Sequence, residues 1–229
     1  MTDRMAELAH ESVLLGIQQL KEYSPERESV ILANEDKLDL YEDRLGSYLV
    51  QVSRKGISME DARHVTRLLH SISNFERIGD HALNLHESAQ ELHDKGITFS
   101  AVAQQEVAVA IDAVEDILDR TFRSFAQQDA TLAMMVEPLE ETIDHLTEEI
   151  RTRHIERLQQ GTCTIQLGFV LNDLLTNLER VSDHCSNIAV CVLESERGAI
   201  DSHTYLQEIK ASPKFLRDLE DDLKRYTLP

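Results

Sequence analysis

Four Glu-x-x-x-Asp pairs stand out in this sequence: Glu35 with Asp39, Glu76 with Asp80, Glu140 with Asp144, and Glu179 with Asp183. On an α-helix, residues four apart sit one above the other, so each pair presents two carboxylates on one face. Two such faces brought together repel, at about 3 kcal/mol for each pair of charges roughly 5 Å apart in an effective dielectric near 20. Three arrangements relieve that: carboxyl groups that keep their protons, the guanidinium groups of Arg77 and Arg180, or a bound cation. Oxygen donors without convergent cysteine favour hard ions such as magnesium, calcium, manganese or ferric iron, with zinc less suited.

Two of these pairs lie inside a repeated phrase. "NFERIGDHALNL" at 74–85 returns as "NLERVSDHCSNI" at 177–188, with Asn74, Glu76, Arg77, Asp80, His81 and Asn84 matched by Asn177, Glu179, Arg180, Asp183, His184 and Asn187. At about 100° per residue, Val65, Leu69, Ile72 and Leu83 form a stripe, with Glu76 and Asp80 within or beside it. Leu175 and Leu178 flank Glu179 in the same way. Upstream, Glu35, Asp39 and Glu42 share a stripe with Ile31, Leu38, Leu45 and Leu49, and Glu140 and Asp144 align with Val136, Ile143 and Ile150. His81 and His184 lie about 140° round from the preceding Glu, which turns them toward another helix or water. Asn84 and Asn187 read as hydrogen-bonding residues between helices.

The elements that carry these residues are helices. Apolar residues recur at helical spacing almost throughout. The breaks fall at Ser24-Pro25, Lys55-Gly56, Lys95-Gly96, Gln128-Asp129, Gln160-Gly161, Arg197-Gly198 and Ser212-Pro213. They cut out six long helices and a short C-terminal pair. Gly56 matches Gly161, Gly96 matches Gly198 and Pro25 matches Asp129, so the punctuation repeats with the motif and the repeating unit is three helices. Short connections make consecutive helices antiparallel neighbours. The expected fold is all-α: two antiparallel three-helix bundles, 1–97 and 98–198, and a helical extension, 199–229. Pro138 either kinks the fifth helix or marks its start.

Composition narrows the function. With 42 Asp and Glu against 23 Lys and Arg, the formal charge of −19 opposes nucleic acid and anionic membrane surfaces and favours a cation as partner. The three cysteines form no C-x-x-C pair, which suits a reducing compartment. Apolar runs such as "AVCVL" are too short to span a bilayer. No P-loop, G-x-G-x-x-G or G-x-S-x-G occurs, so nucleotide hydrolysis and serine esterase chemistry have no motif behind them.

The phrases "ERIGDHALNL" and "ERVSDHCSNI", preceded by "EDKLD" and "EETID", resemble the PhoU family of phosphate-uptake regulators. The longer stretches resemble more specifically the cytoplasmic PhoU-like domain of bacterial sodium-dependent phosphate cotransporters. The resemblance covers nearly the whole chain to about Glu196 and weakens beyond it. It implies a non-enzymatic regulator whose ExxxD carboxylates bind metal ions, often iron clusters; here these are Glu35, Asp39, Glu76, Asp80, Glu140, Asp144, Glu179 and Asp183. It further implies a membrane phosphate transporter as partner, covalent or docked, and a cytoplasmic position at the inner face of the membrane. Association between copies of the chain stays open. Two other readings compete: a metal-free scaffold whose acids pair with Arg and Lys or with a protein partner, and a di-iron carboxylate enzyme. The latter uses Glu-x-x-His on two helices, and none of the four acid-bearing helices carries that spacing.

Overall fold

A computed structural model describes residues 1–197 and 210–229. It contains eight helices among those residues and no strand: α1 (Thr2–Lys21), α2 (Pro25–Ser53), α3 (Met59–Lys95), α4 (Ala101–Gln127), α5 (Ala130–Ala133), α6 (Val136–Gln159), α7 (Ile165–Arg197) and α8 (Pro213–Arg225). The first member of the expected C-terminal pair lies almost wholly outside the described residues.

Local chemistry sets the boundaries. Ser24, Ser58, Ser100 and Ser212 each cap a helix by accepting the backbone N–H three residues on, and Asp129 accepts two. Pro25 and Pro213 occupy the first helical position, where a missing N–H costs nothing. Gly96 ends α3 in the left-handed region, whereas Gln128, at φ 51°, fills that role for α4. The one-turn helix α5 was not anticipated from the sequence. Pro138 falls in the first turn of α6, so it marks the start of that helix rather than a kink.

Helix α1 packs on α2 and α3, α4 packs on α6 and α7, and the two triplets meet chiefly through α3 and α7. Gly16 allows α1 close to α3: a Cβ there would meet the Ala82 carbonyl oxygen at 2.8 Å. One continuous apolar core runs through both triplets, with Phe75 of α3 packed against Phe122 and Phe125 of α4 at 5.7 and 5.0 Å between ring centroids. Helix α8 lies against α6.

Candidate metal centres

Each of the eight ExxxD acids directly follows a buried residue. Asn34, Leu38, Phe75, Gly79, Leu139, Ile143, Leu178 and Ser182 are buried; Glu35, Asp39, Glu76, Asp80, Glu140, Asp144, Glu179 and Asp183 come next. All four pairs therefore flank the core stripe one position round, at its edge rather than at its centre. Asp39 and Asp144 are exposed and the other six are half-buried. A carboxylate in the core itself would have no water and no donor, and its desolvation would outweigh any gain in packing.

The edge positions bring acids from paired helices together. Oxygens of Glu35 and Asp39 on α2 and of Asp80 on α3 lie within 4.8 Å of one another, and Glu140 and Asp144 on α6 meet Asp183 on α7 in the same way. Neither triplet includes a His or Cys. The fourth acid of each set is placed differently. Glu76 faces Asp80 and Glu42; its Oε2 is buried without a hydrogen-bond donor, and Arg77 Nε comes only to 3.5 Å. Glu179 is instead held by Arg151 at 2.8 Å, with the Thr147 hydroxyl at 3.5 Å.

Close approach of the helices depends on small residues. A Cβ on Gly79 would lie 2.3 Å from Leu38 Cδ1, so the glycine lets α2 settle on α3 between Asp39 and Asp80. The matching residue on α7 is Ser182, whose buried hydroxyl has no partner.

Crowding raises the affinity of these acids for protons. Partial burial, then Asp80, pushes Glu76 up to about 7. Burial, then Glu137 and Asp144, pushes Glu140 up to about 8, and Asp144 rises to about 6 through partial burial, Glu179 and Asp183. Glu35 and Asp183 are also raised, chiefly by burial. Salt bridges oppose this unevenly. Arg77 reaches Asp80 at 3.4 Å and Arg180 reaches Asp183 at 3.2 Å, while the second centre also has Arg151 and, from beyond α7, Lys210 on Glu137 at 3.0 Å and on Glu141.

The rest of the repeated phrase faces the other way. The His81 and His184 rings stack at 5.5 Å across the α3–α7 seam. His81 Nδ1 bonds Asn177 Oδ1 at 2.9 Å, His184 Nδ1 bonds Asn74 Oδ1 at 2.9 Å, and Asn84 donates to Asn177 at 3.1 Å. Asn187 is exposed. The phrase thus recurs because it serves two surfaces: its acids face α2 or α6, and its Asn and His bond the opposite copy reciprocally. The single Glu-x-x-His spacing, Glu7 with His10 on α1, serves neither surface; His10 stacks on Phe122.

Comparison with known proteins agrees with this architecture. The PhoU domain family model matches residues 2–89 and 108–192. A Thermotoga maritima protein named phosphate-specific transport system accessory protein PhoU homolog 1 is 24% identical over 196 residues, covering 85% of this chain and 84% of its own length. An Aquifex aeolicus protein named as a PhoU homolog of the same system is 24% identical over 213 residues, covering 90% and 92%. The crystal structure of PhoU from Pseudomonas aeruginosa superposes with a TM-score of 0.79 at 23% identity, covering 86% of this chain and 93% of the other.

Proposed function

Because this chain belongs to the PhoU domain family, we propose that it is an accessory regulator of phosphate uptake whose two acidic centres bind metal ions and which acts on a membrane phosphate transporter. The observation that carries the metal reading is the convergence of three carboxylates from two helices in each half of the molecule. The residues fit a cation: Glu76 Oε2 is a buried carboxyl oxygen that no hydrogen bond satisfies, Arg77 Nε standing off at 3.5 Å, and a metal would satisfy it. An all-oxygen set selects hard ions such as iron(III), manganese, magnesium or calcium, with ligands Glu35, Asp39, Glu76 and Asp80 at the first centre and Glu140, Asp144, Glu179 and Asp183 at the second. A bound ion would replace carboxylate repulsion with attraction and tie α2 to α3 and α6 to α7. Metal occupancy would thereby become a property of the helix packing.

Direct transport is not part of this proposal, since among the described residues no helix is long and apolar enough to cross a membrane. The relatives' names support a transport-system partner. The reading places the chain in the cytoplasm, against the inner face of the membrane, in a non-enzymatic role. Phosphate itself is not the ligand of the acidic faces of a chain with formal charge −19. At the second centre, the 2.8 Å Arg151–Glu179 bond favours a competing reading in which charge is balanced without metal.

Metal analysis of protein purified without chelator, before and after dialysis against a chelator, tests the centres. One or more hard ions per chain is expected, with melting temperature falling on removal; a metal-free preparation that melts identically either way would reject them. Co-sedimentation with transporter-bearing membranes tests the partner, and equal recovery with transporter-free membranes would reject it.

A further inference from the structure

Lys210 stands apart from the motif residues. It belongs to neither three-helix unit and arrives from the C-terminal extension, outside the stretch that the family model matches. Its ammonium bridges Glu137 and Glu141, which are one turn apart on α6 and bracket Glu140. The other oxygen of Glu137 accepts the Ser186 hydroxyl from α7, so Lys210, itself partly exposed, joins a network spanning both helices of the second centre. Its positive charge acts directly on Glu140 and Asp144.

The extension is clamped in place behind it. Arg120 of α4 grips both oxygens of Asp222 at 3.0 Å, and Asp116 accepts the Tyr226 hydroxyl at 2.7 Å and Arg225 at 2.8 Å. Phe215, Tyr226 and Leu228 are buried, and the Pro229 oxygen takes a 2.7 Å bond from Arg153. Anchoring on this scale raises the local concentration of the lysine beside the acids and lowers the entropy lost in placing it. Among the described residues the first centre has no counterpart to this network. Aligning Glu35 with Glu140 puts exposed Leu32 and Asp36 where α6 has Glu137 and Glu141.

We infer that Lys210 is a tethered counter-cation that weakens metal binding at the second centre, so that the C-terminal extension sets the difference in affinity between two otherwise matched sites. The inference rests on the metal reading proposed above. An ammonium fixed within a turn of the ligands repels an incoming divalent ion and already neutralises part of the charge that would attract it. Removing it frees Glu137 and Glu141 to add their negative potential. The mechanism is electrostatic and local, so it leaves the first centre untouched.

The test uses the full chain and manganese(II), with binding measured by calorimetry and bound ion counted by electron paramagnetic resonance. Glu76→Gln with Asp80→Asn isolates the second centre; Glu179→Gln with Asp183→Asn isolates the first. In the second-centre background, Lys210→Gln is expected to tighten manganese binding about tenfold or more, while Lys210→Arg, which keeps the charge, stays within about threefold of the parent. In the first-centre background Lys210→Gln is expected to change nothing. Circular dichroism confirms that each variant is folded. Should Lys210→Gln unfold the chain, Lys210→Met, which keeps the aliphatic stem and removes the charge, carries the same expectation. Manganese bound at both centres with affinity indifferent to Lys210 overturns this inference and leaves the metal reading standing. Absence of manganese binding in every background overturns both.

Discussion

At the first centre, Glu76 faces Asp80 and Glu42, and Arg77 is the cation that reaches the group. At the second, the matching Glu179 is held by Arg151, Asp183 by Arg180, and the flanking Glu137 and Glu141 by Lys210. Within the paired helices the difference follows from two positions on one stripe. In α6 the sequence Glu140, Asp144, Thr147, Arg151 keeps to one face; in α2 the same spacing reads Glu35, Asp39, Glu42, Gly46. One copy ends its stripe with a guanidinium and the other with a third acid and empty space. Matched ligands can therefore form a strongly anionic centre in one half and a nearly balanced one in the other, because cation affinity depends on the summed field and not only on the ligands.

The most severe way to break the comparison is to remove each centre in turn. Replacing Glu76 by Gln and Asp80 by Asn is expected to lower affinity at the first centre about a hundredfold, equivalent to about 2.7 kcal/mol, with the second within twofold. The reciprocal Glu179→Gln, Asp183→Asn variant should remove the weaker class of ions. Metal stoichiometry measured at two free-ion concentrations checks both, and equal losses in the two variants would end the claim of unequal centres.

A subtler change exchanges their character. Beyond its own helix backbone, nothing lies within 4 Å of a Cβ built on Gly46, so Gly46→Arg is sterically open and supplies the guanidinium that this stripe of α2 lacks. It is expected to weaken manganese at the first centre about tenfold. The fold itself should be stabilised by about 0.5–1 kcal/mol, because glycine is a poor helix former. Weaker binding accompanied by a lower melting temperature would contradict the electrostatic account and point to damage.

Helix approach offers a third contrast. Gly79→Ala should cost up to about 2 kcal/mol in urea denaturation, because the collision of the new methyl with Leu38 outweighs about 1 kcal/mol gained in helix propensity. Ser182→Ala, which removes a buried hydroxyl without a partner, should be neutral or stabilising by up to about 1 kcal/mol. Equal effects would show that α2–α3 and α6–α7 are packed alike after all.

The smallest expected effect is in pH. Carboxyls raised in the fold bind more protons folded than unfolded, so the metal-free chain should lose stability as pH rises from the ordinary carboxylate range through about 7 for Glu76 and about 8 for Glu140. Melting temperature after chelation should fall by a few degrees, roughly 2–6 °C, between pH 5 and 9. Glu140→Gln should flatten the curve up to a higher pH than Glu76→Gln does. A melting temperature that climbs with pH would reverse the sign and sink the crowding argument.

Much of the fold was legible because its punctuation is chemical. Ser24-Pro25, Ser212-Pro213 and Gly96 announce their caps, and ExxxD recurring beside apolar stripes announces the acid faces. Arg151 was not anticipated, although it continues the stripe of Asp144. Other features left no local trace. Lys210 is remote in sequence from Glu137, and the Asp222–Arg120 clamp depends on where the extension folds back. Gln128 takes a conformation usually given to glycine. Helical spacing turned His81 and His184 away from the acids, but only the pairing of α3 with α7 shows that they meet each other.

That seam also fixes where its protons sit. The Asn74 amide donates to the His70 carbonyl and the Asn177 amide to the Asp173 carbonyl, which orients both side-chain oxygens toward the opposing histidines. An amide oxygen can only accept, so His81 and His184 must each carry hydrogen on Nδ1 and keep Nε2 as a bare lone pair. The tautomer of each ring is thus dictated by a backbone carbonyl of the other helix, through one asparagine. Any further proton must enter at Nε2, and the first to arrive opposes the second through the stacked ring. Burial and the neighbouring His81 already hold His184 near 4, so the seam between the two halves is neutral at physiological pH, and nitrogen-15 shifts of the two imidazoles would report it as a single tautomeric pair.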